Sequence, residues 1–171
     1  DQRLEAGDFE LAYAMNMPQI ADALQNAIVR EVTVSVPEGW RAEQVAELLQ
    51  QQGIMDAESF MAAVRLGDTV ALGIGSYDFL SDRSGRATLE GYLFPDTYRI
   101  PARAKPAELL AAMLDNFEQK VPGSWQSDAA ASGTTLADAV ILASIVEREA
   151  VQADERPLIA SVYRNRLAGV W

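Results

Sequence analysis

The sequence contains neither histidine nor cysteine, and these two absences exclude several classes of site. Without histidine there is no Ser-His-Asp triad, no histidine general base and no histidine-ligated metal. Without cysteine there is no thiol nucleophile, disulfide or cysteine zinc site. Carboxylates, hydroxyls and two lysines, Lys105 and Lys120, remain as reactive groups.

Basic residues are also scarce, and the net charge of −11 argues against nucleic acid as a partner, because phosphate binding depends on Lys and Arg. No run approaches the ~20 apolar residues that cross a bilayer, and no signal peptide opens the chain. Because the chain begins at Asp1, this says little about the full protein. The 171 residues, 49% hydrophobic and 23% charged, suffice for one ordinary domain or two small ones.

The first third of the chain predicts small strand-helix units. Alternating apolar residues predict strands at 9–13 and 32–36. Asn16 is placed to cap a helix with Pro18 in its first turn, and Asp56 to cap another, while Gly53 ends the helix between them. We therefore expect an α+β fold whose first unit spans residues 1–66.

The remainder, residues 67–171, predicts a mostly helical region with short strands. Residues 67–88 have the composition of an irregular connection, and an aromatic segment with a Pro-Asp turn follows at 89–98. Pro106 opens a helix, a Ser/Ala/Gly loop runs to Thr134, and the last two helices span about 135–150 and 155–167.

The helix at 136–149, LADAVILASIVERE, carries the candidate chemistry. On a helical wheel, one sector holds Leu142, Ile145, Val146 and Glu149, whereas Glu147 lies on another. We therefore expect a buried helix that points Glu149 into apolar surroundings. Burial disfavours a charged carboxyl, and a protonated one is the state that a general acid needs. The alternative is a solvated Glu-Arg-Glu terminus of an ordinary core helix.

Two segments together resemble the MltG (YceG-like) family of endolytic murein transglycosylases. They are LEGYLFPDTYRI at 89–100 and ILASIVEREA at 141–150, and Arg156 and the VYRNRL run at 162–167 also fit the family pattern. The resemblance extends from about Gly7 to the end of the chain.

The resemblance implies that Glu149 is catalytic. Family members cleave the peptidoglycan glycan strand between MurNAc and GlcNAc and leave 1,6-anhydro-MurNAc ends, which makes them carbon-oxygen lyases. One carboxyl suffices, first as general acid and then as base toward the sugar's C6 hydroxyl, so neither a metal nor a cofactor is expected. Glycoside hydrolases, by contrast, use two carboxylates.

The aromatic segment offers candidate substrate contacts. Tyr92, Phe94 and Tyr98 are expected to form a wall on which sugar rings stack, and Glu90 and Asp96 to bond sugar hydroxyls. The alternative is an aromatic strand that packs in the core, with Asp96 bonding its own turn.

Further candidates for substrate contact lie outside that segment. Glu147, Asn165 and Arg166 are expected near the cleft, although Arg166 could equally anchor Glu147 or Glu149. Residues 32–64 resemble a LysM-like βααβ module, which binds GlcNAc-containing glycans, and Trp40 is its candidate contact. Trp40 packing on its turn is the alternative.

The family resemblance also sets expectations for the whole protein. Family members continue past the NRL segment, so residues 67–171 are expected to be a catalytic domain truncated at its C-terminus, with little or no activity alone. An N-terminal helix is expected to anchor the full-length protein in the inner membrane as a single pass. Its catalytic part would then lie on the periplasmic side, with peptidoglycan as substrate and cell-wall synthesis machinery as a further partner.

Two other functions are alternatives to this prediction. One is a non-catalytic peptidoglycan-binding or scaffold protein. The other is a pyridoxal-phosphate lyase, which we disfavour because neither Lys105, in a Pro-rich turn, nor Lys120, near a helix end, has the surroundings of a Schiff-base lysine.

Overall fold

The computed structural model describes residues 11–24, 30–83 and 88–169. These residues form seven α-helices and a two-stranded antiparallel sheet, which confirms the predicted α+β class. In chain order the elements are α1 Met17–Ala23, β1 Glu31–Ser35, α2 Ala42–Gln51, α3 Ala57–Leu66, β2 Thr97–Pro101, α4 Pro106–Lys120, α5 Ser124–Ala131, α6 Leu136–Glu149 and α7 Arg156–Leu167. Short 3₁₀ turns occupy Asp78–Leu80 and Ala153–Glu155.

The sheet joins two distant parts of the sequence. β1 pairs with β2 in a register that places Val34 opposite Tyr98 and Val32 opposite Ile100. Alternate side chains along each strand point to one face, and Val34, Tyr98 and Ile100 are buried there. The sheet therefore holds the end of the aromatic segment against the first strand-helix unit.

The predicted helix starts at Asn16 and Asp56 are confirmed. Asn16 Oδ1 accepts a hydrogen bond from Gln19 N at 3.0 Å, and Asp56 Oδ2 accepts one from Ser59 N at 2.8 Å. Each bond satisfies an amide that the first turn of a helix leaves unpaired. Gly53 follows the end of α2 with a φ of +67°, as predicted for a terminating glycine.

One hydrophobic core crosses residue 66, the predicted unit boundary. It contains residues of β1, α2 and α3 together with residues of β2 and α4. Its largest fully buried side chains are Phe60, Leu49, Leu89, Leu109, Leu110, Met113, Leu114, Val34, Val45 and Val64. The strand-helix unit and the aromatic segment are therefore packed together.

Two local predictions were wrong. Residues 11–13 of the predicted first strand form a coil and turn, and residues 9 and 10 lie outside the described part. The predicted loop before Thr134 contains α5, because alanines in Ser124–Ala131 favour helix. The aromatic segment is irregular up to Asp96, as expected for a segment with a Pro-Asp turn, and becomes extended from Thr97.

In the described ranges, no single helix is long and apolar enough to cross a membrane. Only α5 and α6 taken together reach that length and composition, and they meet at a bend of 91°.

Candidate functional site

The segment 89–96 is a loop fixed on the core by its first residues. Leu89 is fully buried, and its N–H donates to Val64 O of α3 at 3.0 Å. The chain then turns back, with Tyr92 N donating to Leu89 O at 3.1 Å. The turn requires a positive φ of +87° at Gly91, which glycine adopts without steric cost.

Tyr92 belongs to the core, so its predicted place in a glycan-stacking wall is corrected. Its relative exposure is 4%. Its ring centroid lies 5.9 Å from that of Phe79 and 5.4 Å from that of Phe117, and the Arg83 guanidinium carbon lies 5.9 Å from it. Burial raises the pKa of the Tyr92 phenol. Tyr92 therefore follows the alternative given above, in which the aromatic residue packs in the core.

A hydrogen-bond network closes the Pro-Asp turn. Asp96 accepts from Thr97 N at 2.7 Å and from Asn116 Nδ2 at 2.9 Å. Asn116 also donates to the Tyr98 hydroxyl at 3.2 Å, and that hydroxyl donates to Phe94 O. The Thr97 and Asn116 bonds lower the pKa of Asp96, because they stabilise its charged form. Asp96 therefore bonds its own turn.

Tyr98 is buried and Phe94 half-buried against the core. The predicted three-ring wall is therefore wrong for Tyr98 as well as for Tyr92, because strand pairing turns Tyr98 toward the inner face of the sheet. Phe94 keeps part of its surface accessible.

Glu90 ties the aromatic segment to α2. Its Oε2 accepts a hydrogen bond from Ala42 N at 3.0 Å, at the first residue of that helix. Partial burial raises the pKa of Glu90, while the Ala42 bond opposes the rise. The bond places the turn of Trp40, a residue 39% exposed, beside the segment. Glu90 and the Trp40 turn are thus brought together.

α6 is held at its beginning. Thr135 caps it by accepting from Asp138 N at 3.0 Å, and Asp82 Oδ2 accepts from Leu136 N at 2.7 Å. Leu136 is buried. One turn later, a Cβ added at Gly91 would lie only 2.8 Å from Val140 Cγ1. The aromatic segment and α6 therefore meet at a glycine-dependent contact.

The expectation of a buried helix carrying Glu149 in apolar surroundings is wrong for the part of the chain that the structure describes. Only Leu136 and Val146 of α6 are buried. Ile145 is exposed, and so is Glu149 at the last residue of the helix. The apolar sector of the wheel exists, but little of the described chain covers it. Within the described ranges, the Glu149 carboxylate has no hydrogen-bond or ion-pair partner.

Glu147 has a partner in α7. Arg156 Nη2 lies 2.9 Å from Glu147 Oε2 and donates to Oε1 at 3.0 Å. Arg166 and Asn165 are exposed on α7, and in the described part of the chain neither bonds Glu147 or Glu149. The suggested anchoring role of Arg166 is therefore wrong, and Arg156 has that role.

A cavity of about 250 Å³ lies at the other end of α6. Its wall is formed by Asp78, Phe79, Phe117, Glu118, Val121, Pro122, Gly123, Gln126 and Leu136. Leu136 is the first residue of α6 and Glu149 the last, so the cavity is separate from the carboxylates. No group of three or more acidic side chains among the described residues is placed to hold a metal ion.

Three residues that position the site were missed from the sequence. Asp82 lies in the predicted irregular connection at 67–88, and nothing local indicates that it accepts the bond from Leu136 N. Asn116 lies on the polar side of α4, and nothing local indicates its bond to Asp96. Gly91 was read as part of a motif, and its contact with Val140 depends on tertiary packing.

Comparison with known proteins agrees with the motifs. The profile of the YceG-like family matches residues 1–170. An endolytic murein transglycosylase of Streptococcus pneumoniae serotype 2 (strain D39) is 30% identical over 181 residues, which cover 96% of this chain and 33% of that protein. One of Bacillus subtilis is 26% identical over 176 residues, covering 95% and 47%. The chain thus spans less than half of the length of these relatives.

A crystal structure of a putative YceG-like protein from Listeria monocytogenes has the same fold. The TM-score is 0.64 at 24% identity, over 97% of this chain and 57% of that one. The family match over residues 1–170 includes both motifs, at 89–100 and 141–150, and the fold of this chain is the fold of that crystal structure. The chain belongs to the YceG-like family.

Proposed function

We propose that the full-length protein is an endolytic murein transglycosylase, a carbon-oxygen lyase that cleaves peptidoglycan glycan strands between MurNAc and GlcNAc. The observation that carries the proposal is the Glu149 carboxyl, exposed at the end of α6 and unpartnered in the described chain. The Streptococcus and Bacillus relatives are named endolytic murein transglycosylases, which supports the same activity.

The proposed reaction needs one carboxyl group. Protonated Glu149 gives its proton to the glycosidic oxygen as the bond from that oxygen to C1 breaks. The resulting carboxylate then takes the proton of the C6 hydroxyl of the same MurNAc while O6 bonds to C1. Glu149 ends protonated as it began, no water is consumed, and the product carries a 1,6-anhydro end.

Glu149 is the better candidate of the two glutamates because of what each contacts. The Glu147 carboxylate is engaged by Arg156 at 2.9 Å, which makes it a positioned negative charge. A general acid must instead carry a proton and present it to a substrate oxygen. Glu147 is therefore proposed to hold α7 against α6 next to the substrate.

The proposed substrate contacts differ in how accessible they are. Trp40 and Phe94 offer apolar surface to a sugar ring, and Trp40 is the more exposed of the two. Glu90 and Asp96 act mainly through the turns that they hold. Asn165 and Arg166 are exposed on α7 and available to bond sugar hydroxyls or the muramyl carboxylate.

The first strand-helix unit is proposed to bind glycan. β1, α2 and α3 followed by the pairing of β2 with β1 supply the strand-helix-helix-strand order of a LysM-like module. In that arrangement its second strand comes from beyond residue 66. The membrane anchor, the extracytoplasmic location and the association with cell-wall synthesis proteins belong to the same proposal for the full-length protein.

Product chemistry tests the proposed activity. Purified glycan strands are digested with the full-length protein, and the new ends are weighed by mass spectrometry. We expect anhydro ends, lighter by one water than hydrolysis products. Reducing MurNAc ends as the main product would show a hydrolase, and no cleavage together with glycan binding would show a binding protein.

The same digestion, repeated with residues 1–171 alone, tests whether this part is sufficient. We expect little or no turnover, because Ile141 and Leu158 are 59% and 68% exposed, and the α6–α7 pair has little covering it. Turnover at the full-length rate would refute the proposal that residues 67–171 are only part of the catalytic unit.

A further inference from the structure

We propose that Gly91 is a positioning residue that sets the tilt of α6, and through it the place of the acid at the far end of that helix. The expected effect on catalysis rests on the proposed role of Glu149. The expected effect on the tilt of α6 does not depend on that role. The evidence is the contact between Gly91 and Val140, together with the sparse burial of α6 beyond that contact.

The contact is too close for any other residue. A Cβ at position 91 would lie 2.8 Å from Val140 Cγ1, whereas carbon atoms in contact normally stand about 3.5–4.0 Å apart. Val140 cannot easily turn away, because a β-branched side chain in a helix strongly prefers one χ1 rotamer. Substitution would therefore displace the helix by about 1 Å at this point.

α6 converts that displacement into a larger one at its end. It is fixed at Leu136 by burial and by the bond from Leu136 N to Asp82. Val140 and Glu149 lie about 6 Å and 20 Å farther along the axis, at about 1.5 Å per residue. A pivot at Leu136 thus moves Glu149 by roughly 3 Å for each ångström at Val140.

Apart from α5, which packs against α6, little in the described chain opposes such a tilt. Val146 is the one other buried residue of α6, and the ion pair of Glu147 leads to α7, which has no buried residue. α6 and α7 would therefore move together. Because a misplacement of about 1 Å can cost roughly 100-fold in rate, Gly91 would matter for catalysis without contacting substrate.

The test measures the tilt directly. The sequence has no cysteine, so Arg148→Cys and Glu47→Cys introduce the only two sites for spin labels. The first lies near the end of α6 and the second at an exposed position of α2. We expect Gly91→Ala to shift the distance between the labels by about 2–3 Å, in line with the pivot estimate. Adding Val140→Ala should reverse most of that shift, since it removes the opposing methyl groups.

Two further variants separate the contact from backbone strain and from misfolding. Gly73 has a φ of +74° and nothing within 4 Å of an added Cβ, so Gly73→Ala carries the strain without the clash and should leave the distance unchanged. Val140→Ile crowds the contact while leaving Gly91 intact and should shift the distance in the same direction. If Gly91→Ala fails to fold, Val140→Ile alone still tests whether crowding at this contact tilts α6.

Activity supplies the second readout in the full-length protein. Gly91→Ala should lower kcat by about 10- to 100-fold with KM nearly unchanged, and Val140→Ala should restore part of it. An unchanged label distance in both crowded variants, or an equal shift in Gly73→Ala, would overturn the positioning role. If the full-length protein cleaves no glycan, the proposed function fails, while the distances still decide the role of Gly91.

Discussion

Two regions, residues 31–83 with 88–121 and residues 136–167, are held in place by different means. Every one of the largest fully buried side chains lies between Val34 and Leu114, in the sheet, α2, α3, α4 and the start of the aromatic segment. α6 contributes two buried residues and α7 none. The first region is a packed scaffold, and the second is a helical pair held mainly at its base.

This difference separates two parts of the candidate site. The aromatic segment is rigid because its rings and turns are part of the core, whereas the candidate acid stands at the end of a helix fixed at Leu136 and Val140. Burial of apolar area is the main source of folding free energy, so stability and candidate chemistry lie in different places. The predictions below test that separation.

Truncating a core side chain should have the largest effect on stability. Leu109→Ala removes a fully buried side chain of α4 and should lower the free energy of unfolding by about 2–5 kcal/mol. Leu158→Ala, on exposed α7, is the matched control and should cost less than about 0.5 kcal/mol. Chemical denaturation of residues 1–171 measures both, and equal losses would refute the contrast between the regions.

Hydrogen exchange should show the same contrast without mutation. Amides in the middle of α4, around Leu110 and Met113, should exchange only through global unfolding. Amides of α7 should exchange at least about 100-fold faster, because sparsely buried helices open locally. Mass-resolved exchange of the native protein measures this. Uniform protection across α4 and α7 would mean that the helical pair is as cooperative as the core.

Removing the hydroxyl group should change the stability of the protein differently at two buried tyrosines. The Tyr98 hydroxyl donates to Phe94 O and accepts from Asn116, so Tyr98→Phe should cost about 1–2 kcal/mol. The Tyr92 hydroxyl is buried with no partner among the described residues, so Tyr92→Phe should be neutral or stabilising. Thermal melting of both variants decides, and a larger loss at Tyr92 would indicate an ordered water or a ligand there.

Two carboxyl groups, those of Glu90 and Asp96, should change the stability of the protein in opposite directions as the pH falls. The pKa of Glu90 is raised from 4.5, so the folded state holds its proton more tightly, and its contribution grows as pH falls through the range above 4.5. The pKa of Asp96 is lowered from 3.8, so its contribution is present above 3.8 and is lost as pH falls below it.

Glu90→Gln and Asp96→Asn test these signs. The melting temperature should be followed from pH 3 to 7 in both variants and in the unmodified protein. As the pH falls, the unmodified protein should become more stable relative to Glu90→Gln. It should become less stable relative to Asp96→Asn. If both differences in melting temperature change with pH in the same direction, the environments assigned to Glu90 and Asp96 are wrong.

Local signals predicted most of the fold. The cap residues Asn16 and Asp56 and the glycine at 53 mark helix ends because they satisfy or terminate a helix through their own neighbours. The helix α5 was missed, since serine and glycine around its alanines resemble a loop. The Pro-Asp turn was predicted from its residue types, and the bonds of Asp96 close it.

The candidate site was less predictable, because it depends on which helix faces are covered. A helical wheel groups Leu142, Ile145, Val146 and Glu149 in one sector, but it cannot say what packs against that sector. The ion pair of Glu147 with Arg156 and the contact of Gly91 with Val140 arise only from tertiary packing. The separate roles of the two glutamates stay a prediction that chemistry must decide.

The most direct test compares Glu149→Gln with Glu147→Gln in the full-length protein, measuring glycan cleavage and melting temperature together. Glu149→Gln should lower cleavage by at least about 10²- to 10⁴-fold with an unchanged melting temperature, because the amide cannot donate and then accept a proton. Glu147→Gln should cost less, mainly through the weakened contact with Arg156. Near-normal cleavage by Glu149→Gln, or loss of cleavage by Glu147→Gln at an unchanged melting temperature, would contradict the assignment.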